Sequence, residues 1–232
     1  MITLLLLIFG QSIEFARHLE KEGDLFRAIY EYKRVYYESN DPALKDLAAN
    51  KIAYLSIKIG SYNDALRYAE RISDNDPLKK IKLGFPHLYL GNYETAEYFW
   101  KDNDTLLAWL YLKSGKLDRA QLLVSDISVS RKSPILGGFL SAIVPGTGKI
   151  YAGRAFDGLL SLLINVSTGY SAYRAYRYGR ELEFYLYSGL FLIFYLGDIY
   201  GSYVAVNEYN RVSLEKAVKD FEVRFNIWKY WF

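Results

Sequence analysis

The sequence predicts an all-α protein in which helical hairpins come first, two membrane-crossing helices follow, and an amphipathic helix closes the chain. Three observations carry this. A Gly-x-Leu/Tyr-x-x-Ala pattern recurs four times before residue 128, and charge nearly vanishes between about 155 and 210. Beyond 210, apolar residues return at helical spacing.

The four copies of the pattern begin at Gly23, Gly60, Gly91 and Gly115 and end at Ala28, Ala65, Ala96 and Ala120. A glycine can take the left-handed conformation that closes one helix and lets the next begin at once. The alanine shares a helical face with the Leu or Tyr three residues before it, and its small side chain permits close helix approach. These residues resemble the helix-turn-helix centre of the tetratricopeptide repeat. In the second copy Tyr68 and Ala69 continue the packing face, and Pro77 follows where that family stops its helix. The glycine spacings of 37, 31 and 24 residues depart from a steady period near 34, so the later units must have shortened helices. The resemblance implies a TPR-like solenoid over 13–128 that binds a protein or peptide on the face made by the first helix of each pair.

Ahead of the repeats, 1–12 is apolar and ends in small or polar residues, the shape of a short signal peptide; an apolar first helix packed on the repeats is the alternative. Behind them, 129–157 reads as a linker with an interfacial or re-entrant segment, since Ile135 to Val144 is too short to span a bilayer. The transmembrane hairpin is expected over 158–207. Its first span presents Gly158, Ser161, Asn165, Thr168 and Ala172 as a small, weakly polar stripe, and its second carries Gly197 and Gly201 beside Asp198. Lipid gives helices no hydrophobic reason to associate, so these stripes are expected to face each other. Asp198 is the one charge inside a span, with no lysine, histidine or second carboxylate expected at its depth.

The linker contains Pro145-Gly146-Thr147-Gly148-Lys149-Ile150-Tyr151-Ala152-Gly153-Arg154. A phosphate-binding P-loop is excluded, because Ile143 stands where its first glycine belongs and Ile150 where its Ser or Thr belongs. Pro145, Gly146, Gly148, Tyr151, Gly153 and Arg154 instead resemble the loop that opens certain small two-span domains of bacterial membrane proteins. That resemblance covers about 141–207 and implies architecture more than activity. Physically, the glycines permit a tight turn at the membrane surface, with Tyr151 at headgroup level and Lys149 and Arg154 pairing with lipid phosphates.

The segment 208–232 places Leu214, Ala217, Val218, Phe221, Phe225 and Trp228 on one face. It either packs back on the repeats or lies on the membrane, and Trp228, Tyr230, Trp231 and Phe232 favour the membrane interface.

A net charge of +3 with no dense basic run argues against nucleic acid. With no cysteine, and with His18 and His87 isolated, no metal, cofactor or nucleophile–base set can be assembled, so no enzyme is expected. The composition therefore points to a membrane-anchored scaffold. The alternative is a component of a transport, secretion or envelope-assembly complex in which Asp198 and the 145–154 loop are working parts. The inner membrane is the expected location. Arg174, Arg177 and Arg180 place the loop between the spans in the cytoplasm and the repeats outside, whereas Arg131, Lys132, Lys149 and Arg154 pull the other way.

Overall fold

The computed structural model describes residues 13–231, so the apolar 1–12 segment lies outside the described residues. The described chain is all-α and divides into two compact units, 13–127 with 220–231, and 128–219. We describe each by itself.

The first unit opens with helix α1 (13–21) and continues through α2 (Leu25–Glu38), α3 (Pro42–Lys58), α4 (Tyr62–Glu70), α5 (Lys79–Tyr89), α6 (Tyr93–Trp100), α7 (Asp104–Lys113) and α8 (Leu117–Leu123). Consecutive helices pack on each other. The turns α1–α2, α3–α4, α5–α6 and α7–α8 are made in one way. Gly23, Gly60, Gly91 and Gly115 have φ between +76° and +81°. At each turn the next residue donates its N–H to the carbonyl five residues earlier, at 2.8–2.9 Å. This is the Schellman closure, which satisfies the orphan carbonyls of the ending helix and needs a residue tolerant of positive φ. Ala28, Ala65, Ala96 and Ala120, five residues after each glycine, are fully buried. The second helix of each pair shortens along the chain, from 14 residues in α2 to 9, 8 and 7 in α4, α6 and α8.

Buried polar links tie the pairs together. Lys82 Nζ donates to Asp76 Oδ2 at 2.7 Å and to Asn50 Oδ1 at 2.6 Å, while the Ser73 N–H reaches Asp46 Oδ1 at 2.5 Å. An aromatic cluster fills the far end. Phe85 packs on Trp100, Trp109, Trp228 and Trp231 at centroid distances of 5.1–5.7 Å. The Trp100 Nε1–H donates to the Ile81 carbonyl and the Trp109 Nε1–H to Glu222 Oε1.

That cluster bears on the two alternatives open for the C-terminus. Phe221, Ile227 and Trp231 are buried in the first unit, and the 3₁₀ turn Ile227–Trp231 inserts both tryptophans among Tyr54, Phe85 and Trp109. Of the two places open to this face, its last residues take the core of the first unit. An amphipathic stripe does not say which apolar partner it meets, and here aromatic packing wins.

The second unit holds α9 (Pro134–Ile143), the short α10 (Thr147–Tyr151), α11 (Ala155–Arg177) and α12 (Glu181–Arg224), whose last five residues belong to the first unit. α12 runs unbroken for 44 residues, through 207/208, where the hairpin is expected to give way to the amphipathic helix. Ser133 caps α9 through its hydroxyl, Gly146 begins α10 with φ +86°, and Gly153 and Gly179 repeat the positive-φ closure. Among the described residues, α12 is the one helix long and apolar enough to cross a membrane, and only 22% of its most apolar stretch is buried. A soluble core helix of that composition would be mostly buried. The 23-residue α11 has the length, but Asp157, Asn165 and its Gly, Ser, Thr and Tyr content hold its hydropathy lower.

Candidate functional site

The polar centre of the second unit forms around Asp198, which is 3% exposed. Its Oδ2 accepts the Gly146 N–H at 2.6 Å, and its Oδ1 lies 2.9 Å from Lys149 Nζ. The ammonium also donates to Ser161 Oγ at 2.6 Å. Thus the 145–154 loop, the first turns of α11 and the middle of α12 converge on one ion pair. This overturns two expectations. Asp198 is not without a cation, and Lys149 turns inward to it instead of outward to lipid phosphate. A charge among apolar side chains is costly alone, so the nearest cation that can reach it is drawn in.

Glycine makes the convergence possible. A Cβ on Gly146 would overlap the Gly158 carbonyl, and one on Gly148 would overlap the Gly137 carbonyl and lie 2.7 Å from Ser202 Cβ. The loop therefore beds backbone-to-backbone against α9 and α11. Ser141 Oγ pairs with Ser202 Oγ at 2.8 Å and accepts the Gly148 N–H at 3.0 Å. Thr147 Oγ1 donates to the Leu140 and Val144 carbonyls, and the Tyr195 hydroxyl to the Ala142 carbonyl at 2.6 Å. Pro145 precedes this turn, half-buried.

The remaining loop residues make other contacts. The Tyr151 carbonyl accepts from Lys132 Nζ and its hydroxyl from the Ser133 N–H; Lys132 also stacks over the Tyr209 ring, 3.9 Å from its centroid. Arg154 is exposed and pairs with Asp157 at 2.6 Å. Gly153 is exposed at its turn, and a Cβ there would meet nothing within 4 Å.

The small-residue stripes are met in part. On α11, Gly158, Ser161, Asn165 and Ala172 are buried as a line. On α12 the buried line is Asp198, Ser202, Ala205 and Val206, while a Cβ on Gly197 would meet nothing. Of the Gly-x-x-x-Gly pair, Gly201 borders the packed face, where a Cβ would stand 3.4 Å from Lys149 Cε, and Gly197 does not. α9 and the loop occupy that face, with Gly137 close against Val206 and Gly138 against Ile199. Asn165 Nδ2 donates to the Ser161 carbonyl, which leaves its buried Oδ1 without a partner.

Beside the ion pair lies a cleft of about 480 Å³ between α11 and α12. Lys149, Arg154, Asp157 and Asp198 give it balanced charge at one end; Leu160, Ile164, Ile193 and Phe194 line the rest. Among the described residues no group of three or more His, Cys, Asp or Glu converges to hold a metal. Chemically, the arrangement is a neutralised charge pair, with Asp198 hydrogen-bonded to Gly146 and Lys149 to Ser161, that locks a loop between helices. The repeat-signature residues take no part in it and lie in the turns and core of the first unit. Lys149 is the residue that sequence reasoning placed wrongly, and its position one turn into the helix opened by Gly146 was the available signal.

No protein-family model matches this chain, no curated protein is similar to it, and no solved structure resembles it.

Proposed function

We propose that the protein is a membrane-anchored helical scaffold, with α11 and α12 inserted as a hairpin and the first unit available to a protein or peptide partner. The observation that carries this is the outward apolar surface of the second unit. Ile135, Phe139 and Ile143 on α9, Phe156, Leu163 and Val166 on α11, and Leu182, Ile193, Leu196 and Tyr200 on α12 are each more than half exposed. Soluble monomers rarely expose so continuous an apolar surface, whereas lipid requires it. The inward side is the reverse: Asp198 pairs with Lys149, Lys149 donates to Ser161, and Ser202 meets Ser141 around glycine contacts, which is how helices associate where water is absent.

The first unit supports the scaffold part through its polar surface and Schellman-closed hairpins, in keeping with its resemblance to tetratricopeptide repeats. Its exposed aromatics suggest where a partner docks. Phe26, Tyr30 and Tyr37 share one face of α2, and Tyr98 projects from α6. Both are second helices of their pairs, so the docking face is assigned there and not to the first helices. The three arginines of the Arg174–Arg180 turn support an inner-membrane hairpin with that turn in the cytoplasm and the first unit outside, against the pull of Arg131, Lys132 and Arg154.

Alkaline extraction of membranes from cells producing the full chain tests the anchor. Retention in the pellet, with release only by detergent, is expected; release by carbonate contradicts it. A second reading, a working part of a transport or assembly complex, is favoured by the Asp198–Lys149 pair beside an open cleft. It requires that Asp198→Asn abolish function in protein that still inserts.

A further inference from the structure

The turn between α11 and α12 carries a second cleft, of about 210 Å³. Its wall is made by Ser171, Arg174 and Tyr178 from α11 and its cap, and by Arg180, Glu183 and Tyr187 from the start of α12. Gly179, at φ +67°, reverses the chain so that the two arginines flank one ring: the Arg174 guanidinium lies 5.7 Å and the Arg180 guanidinium 5.9 Å from the Tyr178 centroid. Arg180 is held by Glu183 through one exposed nitrogen at 3.3 Å, while Arg174 has no ion-pair partner among the described residues. The lining therefore keeps one net positive charge, planar guanidinium donors with free N–H groups, and three hydroxyl-bearing side chains, Ser171, Tyr178 and Tyr187.

We propose that this cleft binds the phosphate of an anionic phospholipid headgroup. Guanidinium forks match phosphate oxygens bidentately, which a lysine would not do. The volume equals about seven waters of roughly 30 Å³, enough for a phosphodiester. The occupant is a lipid and not a free anion because of what surrounds the cleft. Tyr170, Tyr173, Tyr176 and Tyr185 are exposed around the turn, and Leu182 and Leu186 project beside them. Amphipathic rings next to apolar side chains are the side chains that settle at a bilayer interface, where phosphates are dense. The inference rests on the reading of α11 and α12 as membrane-inserted.

The full chain in detergent is offered equimolar phosphatidylglycerol and phosphatidylcholine, and the lipid retained through gel filtration is counted by mass spectrometry. Preferential retention of phosphatidylglycerol is expected. Arg174→Gln and Arg180→Gln each lower that preference about fivefold, the effect of removing one basic side chain near an anionic surface. Glu183→Gln raises it, and Lys21→Gln/Lys116→Gln, which removes the same charge as the arginine pair, leaves it unchanged. All these side chains are exposed, and unchanged circular dichroism confirms folded protein. Equal retention of the two lipids by wild-type protein, or an unchanged preference in Arg174→Gln/Arg180→Gln, overturns the proposal. Displacement of phosphatidylglycerol by inorganic phosphate overturns it in favour of a soluble-anion site. Insertion is measured separately by flotation with pure phosphatidylcholine vesicles: a chain that floats but shows no preference sinks only the headgroup site, and one that does not float sinks the anchor as well.

Discussion

Replacing Asp198 by Asn removes a charge and leaves the shape. The amide oxygen can still accept the Gly146 N–H, now at 2.6 Å, but the Lys149 ammonium keeps only Ser161 Oγ as a partner. Breaking a buried pair by removing one member costs about 3–5 kcal/mol, because the other charge stays buried. The Lys149 side chain is 21% exposed and can turn partly toward solvent, which places Asp198→Asn near the lower bound, about 3 kcal/mol. Lys149→Met strands the carboxylate and costs a similar amount. In the double variant no charge remains and the Gly146 N–H keeps its acceptor, so the loss falls to about 1 kcal/mol, the residue of imperfect packing. Helicity followed at 222 nm during denaturation in detergent micelles reads all four proteins. The double variant is expected to be more stable than either single one. Costs that simply add would refute the coupling and return Lys149 to the lipid phosphates.

Three further outcomes follow. Gly148→Ala, which drives a Cβ into the Gly137 carbonyl, is expected to prevent folding of the second unit, whereas Gly153→Ala meets nothing and costs only the left-handed strain of about 1–2 kcal/mol; proteolysis of the two variants in detergent distinguishes them. In the first unit, Trp231 is buried with an unpartnered Nε1–H, so Trp231→Phe should be neutral or stabilising while Trp231→Ala costs about 3–5 kcal/mol; equal losses by thermal denaturation would refute that. Burial holds the His87 imidazole below its ordinary value of 6.5, so the unfolded chain takes up a proton first as pH falls. Stability should therefore decline as pH falls from 6.5 to the folded-state value and level off on either side. His87→Gln should flatten that slope, and an unchanged slope would assign it to another group.

The parts legible in the sequence are those with local causes. Four Schellman turns each need a residue tolerant of positive φ, so Gly23, Gly60, Gly91 and Gly115 mark them directly. Asp198 stands out because a charge inside an apolar run has no local excuse. What could not be read is which distant group meets which. Lys149 lies near enough in sequence to Arg154 to look like another interfacial cation, and only the fold of α9 and α10 aims it at α12. Gly197 and Gly201 carry an association spacing, yet of the two Gly201 alone meets a neighbour, Lys149, and Val206 and Ser202 form the tighter contacts, with Gly137 of α9 and Gly148 of the loop. Trp228 and Trp231 suit a bilayer surface and a protein core equally by composition, and aromatic partners on α3, α5 and α7 decide between them.

Sidedness tests the hairpin anchor most directly, and the absence of native cysteine makes it clean. Single cysteines are placed at Ser61 in the turn before α4, Tyr178 in the turn between α11 and α12, and Ser213 beyond the apolar part of α12. Intact cells are then treated with a membrane-impermeant thiol reagent. A hairpin with the first unit outside predicts labelling at Ser61 and Ser213 but not at Tyr178. Labelling of Tyr178 alone keeps the hairpin and inverts it, whereas labelling of Tyr178 together with both others, from one side of the membrane, means that α11 and α12 do not cross and contradicts the account.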